Sequence, residues 1–381
     1  MHLHIVSFNV PWPANYGGVI DVYYRVRALA RAGVKVHLHC YTYGRRPAAE
    51  LEQWCEEVCY YRRTTLPHKL LTRRPYIVSS RCSQPLLQRL LCDDYPVLLE
   101  GLHNGWVLEQ LRAMERGEDA SHHRTVLLRA HNVEHEYYRR LTQAERNPLR
   151  RLYLAMDARK LQRYEPVMLQ GDAVLAVTQA DADHFRDMGC GNVVLLPSSH
   201  QYDDIVSLTG RGDYAVYHGD LSVPENVQAA SYLVKQVFAG SRHRLVLAGR
   251  NPAAVLQQLA HAHANVIVEP NPTDLRMEQL IAEAQVNILV TNQPTGLKLK
   301  LLHSLYCGRH CLVNSQMVAG TQLDAPCCVA DDAEAMRREL DRLMSEPFTE
   351  EHIRQRRRLL GTLYSPAANA GRLVDLLAEL T

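Results

Sequence analysis

Residues 129–136 read RAHNVEHE, and within them His131-x-x-Glu134-His135 is an H-x-x-E-H string. In one class of zinc peptidases that pattern sets two imidazoles on one helical face to hold the metal. Such a site also needs a third protein ligand. Here the preceding TVLLRA (125–130) reads as strand, so His131 falls at a strand end rather than inside a helix. No partner motif offers the third ligand, and no metal is assigned. His131 is read as a polar group facing a cleft. Glu134 and His135 are expected in the first turn of the next helix, with Asn132 as its cap.

Other residues of chemical interest also follow apolar runs. After 2–10 (HLHIVSFNV), Gly17-Gly18 open a helix with Val22, Val26 and Leu29 on its apolar face. Paired glycines let backbone approach a ligand, and the free amides of a helix start attract anions. There is no GxGxxG. After 96–100, the stretch EGLHNGW carries Glu100 and His103, acceptor-side candidates. Asp181-x-Asp183 (180–183, ADAD) resembles a metal-binding D-x-D, but acids in a first helical turn need no ligand to explain them. In the second half, GDLSVPENV carries Asp220 and Asn226, and GRNP carries Arg250. In TNQPTGLKLKLLHSLYCG (291–308), Gly296 precedes a helix expected to hold Lys298 and Lys300 in its first turn. Lysines there oppose the helix dipole. A polyanion on the helix start would reconcile amides and ammonium groups.

These positions depend on a repeated strand–helix alternation. Strands are expected at 2–10, 35–41, 96–100, 124–130, 173–177 and 192–196, with helices at 18–33, 84–93, 104–116, 147–170 and 179–188. A polar, turn-rich linker spans about 200–213. The alternation then restarts with strands at 214–218, 244–248, 265–269, 286–290 and 310–314, and helices at 225–239, 253–262, 275–284 and 297–307. Apolar runs on consecutive positions indicate parallel strands covered on both faces. The expected architecture is α/β: two doubly wound Rossmann-like domains, 1–200 and 201–365, facing a central cleft, with a terminal helix at 366–381. Ligands of such sheets bind beyond the carboxyl ends of the strands.

Composition narrows the classes. The 381 residues are 46% hydrophobic and 22% charged, with net charge +2, which gives no pull toward nucleic acid. Residues 1–200 carry 26 Lys/Arg and 21 Asp/Glu, and arginine pairs recur there: 45–46, 62–63, 73–74, 139–140 and 150–151. Solvated helix faces explain most such pairs; a basic surface resting on anionic lipid is the sharper reading. The ten cysteines contain no C-x-x-C and read as small buried hydrophobes of a reducing compartment. No signal peptide and no bilayer-spanning run is found, so a cytoplasmic, membrane-peripheral location is expected.

In order and spacing, PWPANYGGVIDVYYRVRALARAGVKVHLHCY, LRAHNVEHEYYRRL, YHGDLSVPENVQAASYL, LVLAGRNP and TGLKLKLLHSLYCGRHCLV resemble the retaining GT-B glycosyltransferases of family 4. The resemblance implies transfer of a sugar from a nucleotide-diphosphate sugar to a hydroxyl acceptor, lipid-linked or saccharide, with retention of configuration. It also implies cell-envelope or exopolysaccharide synthesis as the setting, and no cofactor or metal at the reaction centre. By position, Gly17 and Gly18 would lie against the donor, His131 would contact the sugar, and Lys300 would neutralise the leaving diphosphate. Gly296, His303, Asn226 and Arg250 complete the donor side. The chain departs from the family at His303 and Thr295, where glutamates are common, and in lacking a basic pair near Asp220. A neutral His303 can still hydrogen-bond a ribose hydroxyl. A sugar-nucleotide epimerase of the same fold, or a nucleotide-sugar-binding subunit with a decayed site, are the alternatives.

Overall fold

The computed structural model describes residues 1–66, 69–70, 72–116, 123–145, 147–292 and 298–381. The chain divides into two units: Met1–Gln201 together with Pro366–Thr381, and Tyr202–Ser365.

The first unit is built on seven strands: β1 (His2–Ser7), β2 (Lys35–Thr42), β3 (Glu57–Arg62), β4 (Val97–Glu100), β5 (Val126–Ala130), β6 (Ala173–Ala176) and β7 (Val193–Leu195). They are all parallel, in the order β3-β2-β1-β4-β5-β6-β7. Consecutive leucines show why both faces are covered. Leu99 and Leu128 enter one core cluster, while Leu98 and Leu127 enter the other. Sequence alternation does not reveal β3, because Glu57–Arg62 is an edge strand of half-buried, mostly polar or aromatic residues. The helix Gly17–Arg31 buries Val19, Val22, Val26 and Leu29. The terminal helix Pro366–Leu380 packs on it, with Ala370, Leu373 and Leu377 in the same cluster as Val22, Val26 and Leu29.

The second unit holds β8 (Tyr214–Asp220), β9 (Arg244–Arg250), β10 (Val266–Pro270), β11 (Val286–Leu289), β12 (His310–Val313) and β13 (Cys328–Val329). Their order is β10-β9-β8-β11-β12-β13, again parallel throughout. The two-residue β13 is too short to show a sequence pattern. Gly249 is required here: a Cβ on it would lie 1.8 Å from the Gly219 carbonyl oxygen, so only hydrogen lets β8 and β9 approach at this point.

Two local expectations need correction. The helix after β5 starts at Glu134 with Val133 at the cap position and no side-chain cap, so Asn132 does not cap it. The helix after β11 runs Leu299–Cys307, which puts Lys298 at the cap position and only Lys300 within the first turn.

In each sheet the connection order reverses once, between β1 and β4 and between β8 and β11. Those switch points are where ligands of open α/β sheets bind.

Candidate functional site

At the first switch point, β4 ends on Glu100, which is fully buried, and β5 leads into His131. His131 Nε2 lies 2.9 Å from Glu100 Oε2, and Nδ1 lies 3.3 Å from Asp21 Oδ2. Asp21, on the Gly17–Arg31 helix, also accepts from Arg129 Nη2 at 3.0 Å and from the Ser199 amide at 2.6 Å, and it pairs with Arg25 at 2.6 Å. Arg25 Nε donates to Glu100 at 3.0 Å. Two carboxylates and two guanidiniums thus close on one imidazole. Burial opposes charge on His131, but hydrogen bonds to Asp21 and Glu100 and their negative charge outweigh it, so its pKa lies above the ordinary value. Asp21 is held well below the usual carboxylate range despite burial, because Arg129, Arg25 and His131 surround it.

Both ring nitrogens of His131 are therefore engaged by carboxylates. For the ring to hydrogen-bond a sugar hydroxyl, one of these contacts must open. The Asp21 contact is the longer, and Asp21 keeps three other partners if it does.

Phe8, just past β1, gathers the remaining first-unit candidates. Its ring stacks on His103 at 5.2 Å and meets His131 edge-on at 5.5 Å. A Cβ on Gly18 would fall 2.7 Å from Phe8 Cζ, so this glycine makes room for the aromatic ring. Gly17 is the first residue of the helix, with no side-chain cap at Tyr16. His103 is kept neutral, its pKa far below normal, first by burial and then by the positive charges of Arg81, His131 and Arg63; its Nδ1 is buried without a hydrogen-bond partner among the described residues.

The H-x-x-E-H string separates into three environments. His131 joins Asp21 and Glu100. His135 Nδ1 instead pairs with Glu165 at 3.0 Å, and the other Glu165 oxygen holds His184 at 2.9 Å. Glu134 belongs to neither set. Burial, with Glu165 and Asp181 nearby, pushes its carboxyl up to about 7, against the pull of His131 and Arg81. Both trios, Asp21–Glu100–His131 and His135–Glu165–His184, bring atoms of metal-ligating type within 4.8 Å of one another. In the first trio Arg25 and Arg129 already provide the positive charge a cation would bring. Asp181 accepts from Thr178 Oγ1 at 2.6 Å and Asp183 from Arg186 at 2.8 Å, which accounts for the D-x-D without a ligand.

At the second switch point, Lys300 Nζ lies 3.2 Å from Asn226 Oδ1 and 3.4 Å from the Tyr217 hydroxyl, over whose ring it sits at 5.0 Å. Tyr217 donates to Asn226 at 3.1 Å, and Asn226 Nδ2 donates to the Asp220 carbonyl at 2.9 Å. Burial lowers the Lys300 pKa to about 8; Glu225 pulls it up and Lys298 pushes it down. Glu225 accepts a short hydrogen bond from Thr291. His303 packs against Tyr202 at 5.3 Å and edge-on against His218 at 5.6 Å. His218 is held neutral by burial, then by the charges of His303 and Lys300. Arg250 is more than half exposed and lies 3.9 Å from Asp220. Lys300, Asn226 and His303 are thus brought together, with Arg250 at the margin. Gly296 and Thr295 lie outside the described residues.

Sequence inspection missed Asp21, Arg25, Arg129, Tyr217 and Glu225. Asp21 and Arg25 had a detectable signal: two opposite charges at i,i+4 beside the apolar stripe of one helix. Arg129, a charge inside an apolar strand, had another. Nothing local marks Tyr217, whose hydroxyl matters only because Asn226 and Lys300 reach it.

Two parallel α/β units with these switch points define the fold of the GT-B glycosyltransferases. The solved structures agree. The chain is similar to a glycosyltransferase from Rickettsia africae (TM-score 0.66, 12% identity, covering 99% of this chain and 98% of that one). It is also similar to the lipopolysaccharide outer core galactosyltransferase WaaB (0.64, 10%, all of both chains). A third likeness is to an α,α-trehalose-phosphate synthase (UDP-forming) from Burkholderia xenovorans (0.61, 10%, 99% and 100%). No family model and no curated protein matches the chain.

Proposed function

We propose that the chain is a retaining glycosyltransferase of the hexosyl type that takes sugar from a nucleotide-diphosphate donor to a hydroxyl acceptor in cell-envelope or exopolysaccharide synthesis. The observation that carries this reading is the Lys300 ammonium, half-buried beside Asn226 and Tyr217 at the second switch point. Among the described residues Lys300 makes no ion pair and feels Glu225 only at a distance, so a diphosphate would supply a direct counter-charge and would leave with its new negative charge stabilised. His303 takes the donor ribose, and Gly17 and Gly18 approach the sugar. His131, whose nitrogens are shared with two carboxylates, positions the sugar rather than serving as general base. The leaving phosphate itself takes the acceptor proton. No metal enters the step.

Incubation with nucleotide sugars and candidate acceptors tests the reading. Nucleotide release should require acceptor, the product should keep the donor's anomeric configuration by NMR, and Lys300→Ala should abolish turnover. Conversion of a nucleotide sugar without acceptor would instead identify an epimerase.

The acceptor is taken to be membrane-borne, reached from the cytoplasmic side. The helix Pro148–Tyr164 supports this. Leu149, Leu152 and Met156 repeat at i, i+3, i+7 and are 78%, 60% and 47% exposed. Arg150, Arg151, Arg159 and Arg163 are exposed on the same helix, and its single acid, Asp157, is buried. An apolar stripe among arginines fits an anionic bilayer surface. Co-sedimentation with vesicles containing anionic lipid should drop for Leu149→Ser/Leu152→Ser; no difference from neutral vesicles would remove this part of the reading.

A further inference from the structure

Beside the His131 centre lies a group of arginines that this mechanism does not use. Most buried arginines of the first unit have carboxylate partners: Arg25 and Arg129 pair with Asp21, Arg112 with Glu115 and Asp172, and Arg124 with Asp93. Arg81 is only 5% exposed and has no carboxylate partner among the described residues. Its Nε donates to the Phe8 carbonyl at 3.0 Å and its Nη1 to the Ile77 carbonyl at 2.6 Å, while Nη2 bonds to nothing among the described residues. The buried Arg356 of the second unit also lacks a carboxylate, but it spends its guanidinium on the carbonyls of Leu305, Gly308 and Arg309. Arg81 therefore has donors to spare.

Two more arginines flank it. Arg63, just past β3, donates to Ser80 Oγ at 2.9 Å and lies over the rings of Tyr43 at 4.4 Å and Tyr76 at 5.2 Å. Arg45, past β2, holds the loop after β1 through the carbonyls of Val10 and Pro13, over the Tyr16 ring at 5.0 Å. Neither has a carboxylate partner among the described residues. Arg63 and Arg45 follow the carboxyl ends of β3 and β2, Arg81 holds the carbonyl of Phe8 just past β1, and Tyr16, over which Arg45 lies, is near enough to act on Arg81. Arg63 lies close enough to depress the Arg81 pKa, second only to burial, and Arg81 and Arg63 both help keep His103 neutral. Among the described carboxyls, Glu134 is one whose pKa Arg81 lowers. It makes no ion pair with Arg81 and is itself pushed up to about 7, so it is a partial counter-charge at best. Phe8 joins the two regions: its carbonyl takes Arg81 while its ring touches His131 and His103.

We propose that Arg81, Arg63 and Arg45 form a subsite for a phosphate group carried by the acceptor, next to the hydroxyl-positioning centre at His131. A phosphate accepts bidentate hydrogen bonds from guanidinium groups, and the planar fork of arginine suits it better than lysine would. The surrounding tyrosine rings provide flat walls for the acceptor's sugar or its carrier. This inference rests on the glycosyl-transfer reading, since it names the acceptor class for that site.

The test uses the full chain. Binding of inorganic phosphate, a hexose phosphate and the matching neutral hexose is measured by calorimetry, alongside co-sedimentation with neutral vesicles with and without a polyprenyl phosphate. A phosphorylated ligand should bind at least on the order of 10-fold tighter than its neutral counterpart, and raised salt should weaken it. Arg63→Gln and Arg45→Gln, both at partly exposed positions, should each weaken that binding about 10-fold. Arg81→Lys keeps the charge but loses the fork and should weaken it further. Preference for the hexose phosphate identifies a soluble acceptor, and preference for the polyprenyl phosphate a lipid-linked one; either supports the subsite. Equal binding of phosphorylated and neutral ligands in both formats, or no effect of Arg63→Gln and Arg45→Gln, overturns it. Nucleotide binding, measured separately on wild type and Lys300→Ala, reports on the transfer reading, so failure of one is told apart from failure of the other.

Discussion

Replacing Lys300 by Met should make the protein more stable while abolishing donor binding. The Lys300 pKa falls from 10.5 to about 8, mainly through burial. At pH 7 that shift corresponds to a folding penalty on the order of 3 kcal/mol. Methionine keeps much of the stem over the Tyr217 ring but loses the two long bonds to Asn226 and Tyr217, which costs about 1–2 kcal/mol. A net gain of roughly 1–2 kcal/mol is expected, a rise in unfolding midpoint of about 2–4 °C per kcal/mol for a unit of this size. The sign has its own check. Between pH 8 and 10.5 the unfolded chain still holds the Lys300 proton and the folded chain does not, so wild-type stability from this group rises across that window. The difference between variant and wild type should therefore shrink as pH climbs toward 10.5. Thermal unfolding at pH 7, 8.5 and 10, with and without a nucleoside diphosphate, measures all of this. A variant less stable than wild type at pH 7, or a difference independent of pH, would refute the view of Lys300 as a strained cation awaiting an anion.

Three further outcomes follow from other parts of the chain. His4 and His39 are fully buried with pKa values lowered to about 4 and about 3 by burial, so their unfolded forms bind protons first. Stability should fall as pH drops from 6.5 toward 4, by up to about 1.4 kcal/mol per pH unit for each ring, and His39→Gln should flatten that slope in urea titrations. Asp21→Asn strips the shared partner of Arg129, Arg25 and His131; a loss of about 3–5 kcal/mol is expected, together with a lower His131 pKa by NMR. Ending the chain at residue 365 uncovers the Val22–Leu29 face that Leu373 and Leu377 cover; at about 1.5–3 kcal/mol for each of those leucines, denaturant unfolding of the first unit should shift to markedly lower midpoint.

The alternation of apolar runs and helices was enough to read the two sheets, because parallel strands covered on both faces leave continuous runs such as VLLE and VLLRA. It did not reach β3 or β13. An edge strand with a polar face and a two-residue strand are defined by the neighbours they pair with, and no local pattern records that pairing. The same division holds in the sites. Glu100, His131, Lys300 and Asn226 follow strand ends, and position along the chain marks them. Asp21 and Arg81 sit within or after helices, and their importance comes from what surrounds them: one carboxylate shared by three cationic groups, and one buried guanidinium with no carboxylate partner among the described residues.

That contrast also explains the opening string. His131 and His135 are four residues apart, yet they join different charge networks, because the chain leaves β5 at His131 and enters a helix only at Glu134. His131 remains on the switch-point side with Glu100, whereas His135 turns toward Glu165 and His184. Spacing on a helix predicts a shared face only if both residues are on the helix. Glu134, between the two networks and close to neutrality in its titration, is then the group whose charge would respond first when an anion settles on Arg81. A bound phosphate should raise the Glu134 pKa further, because it neutralises one of the two cations that hold it down. Carbon-detected NMR of the glutamate carboxyls, with and without a phosphorylated ligand, would register that shift; an unchanged Glu134 on saturation would place the phosphate away from Arg81.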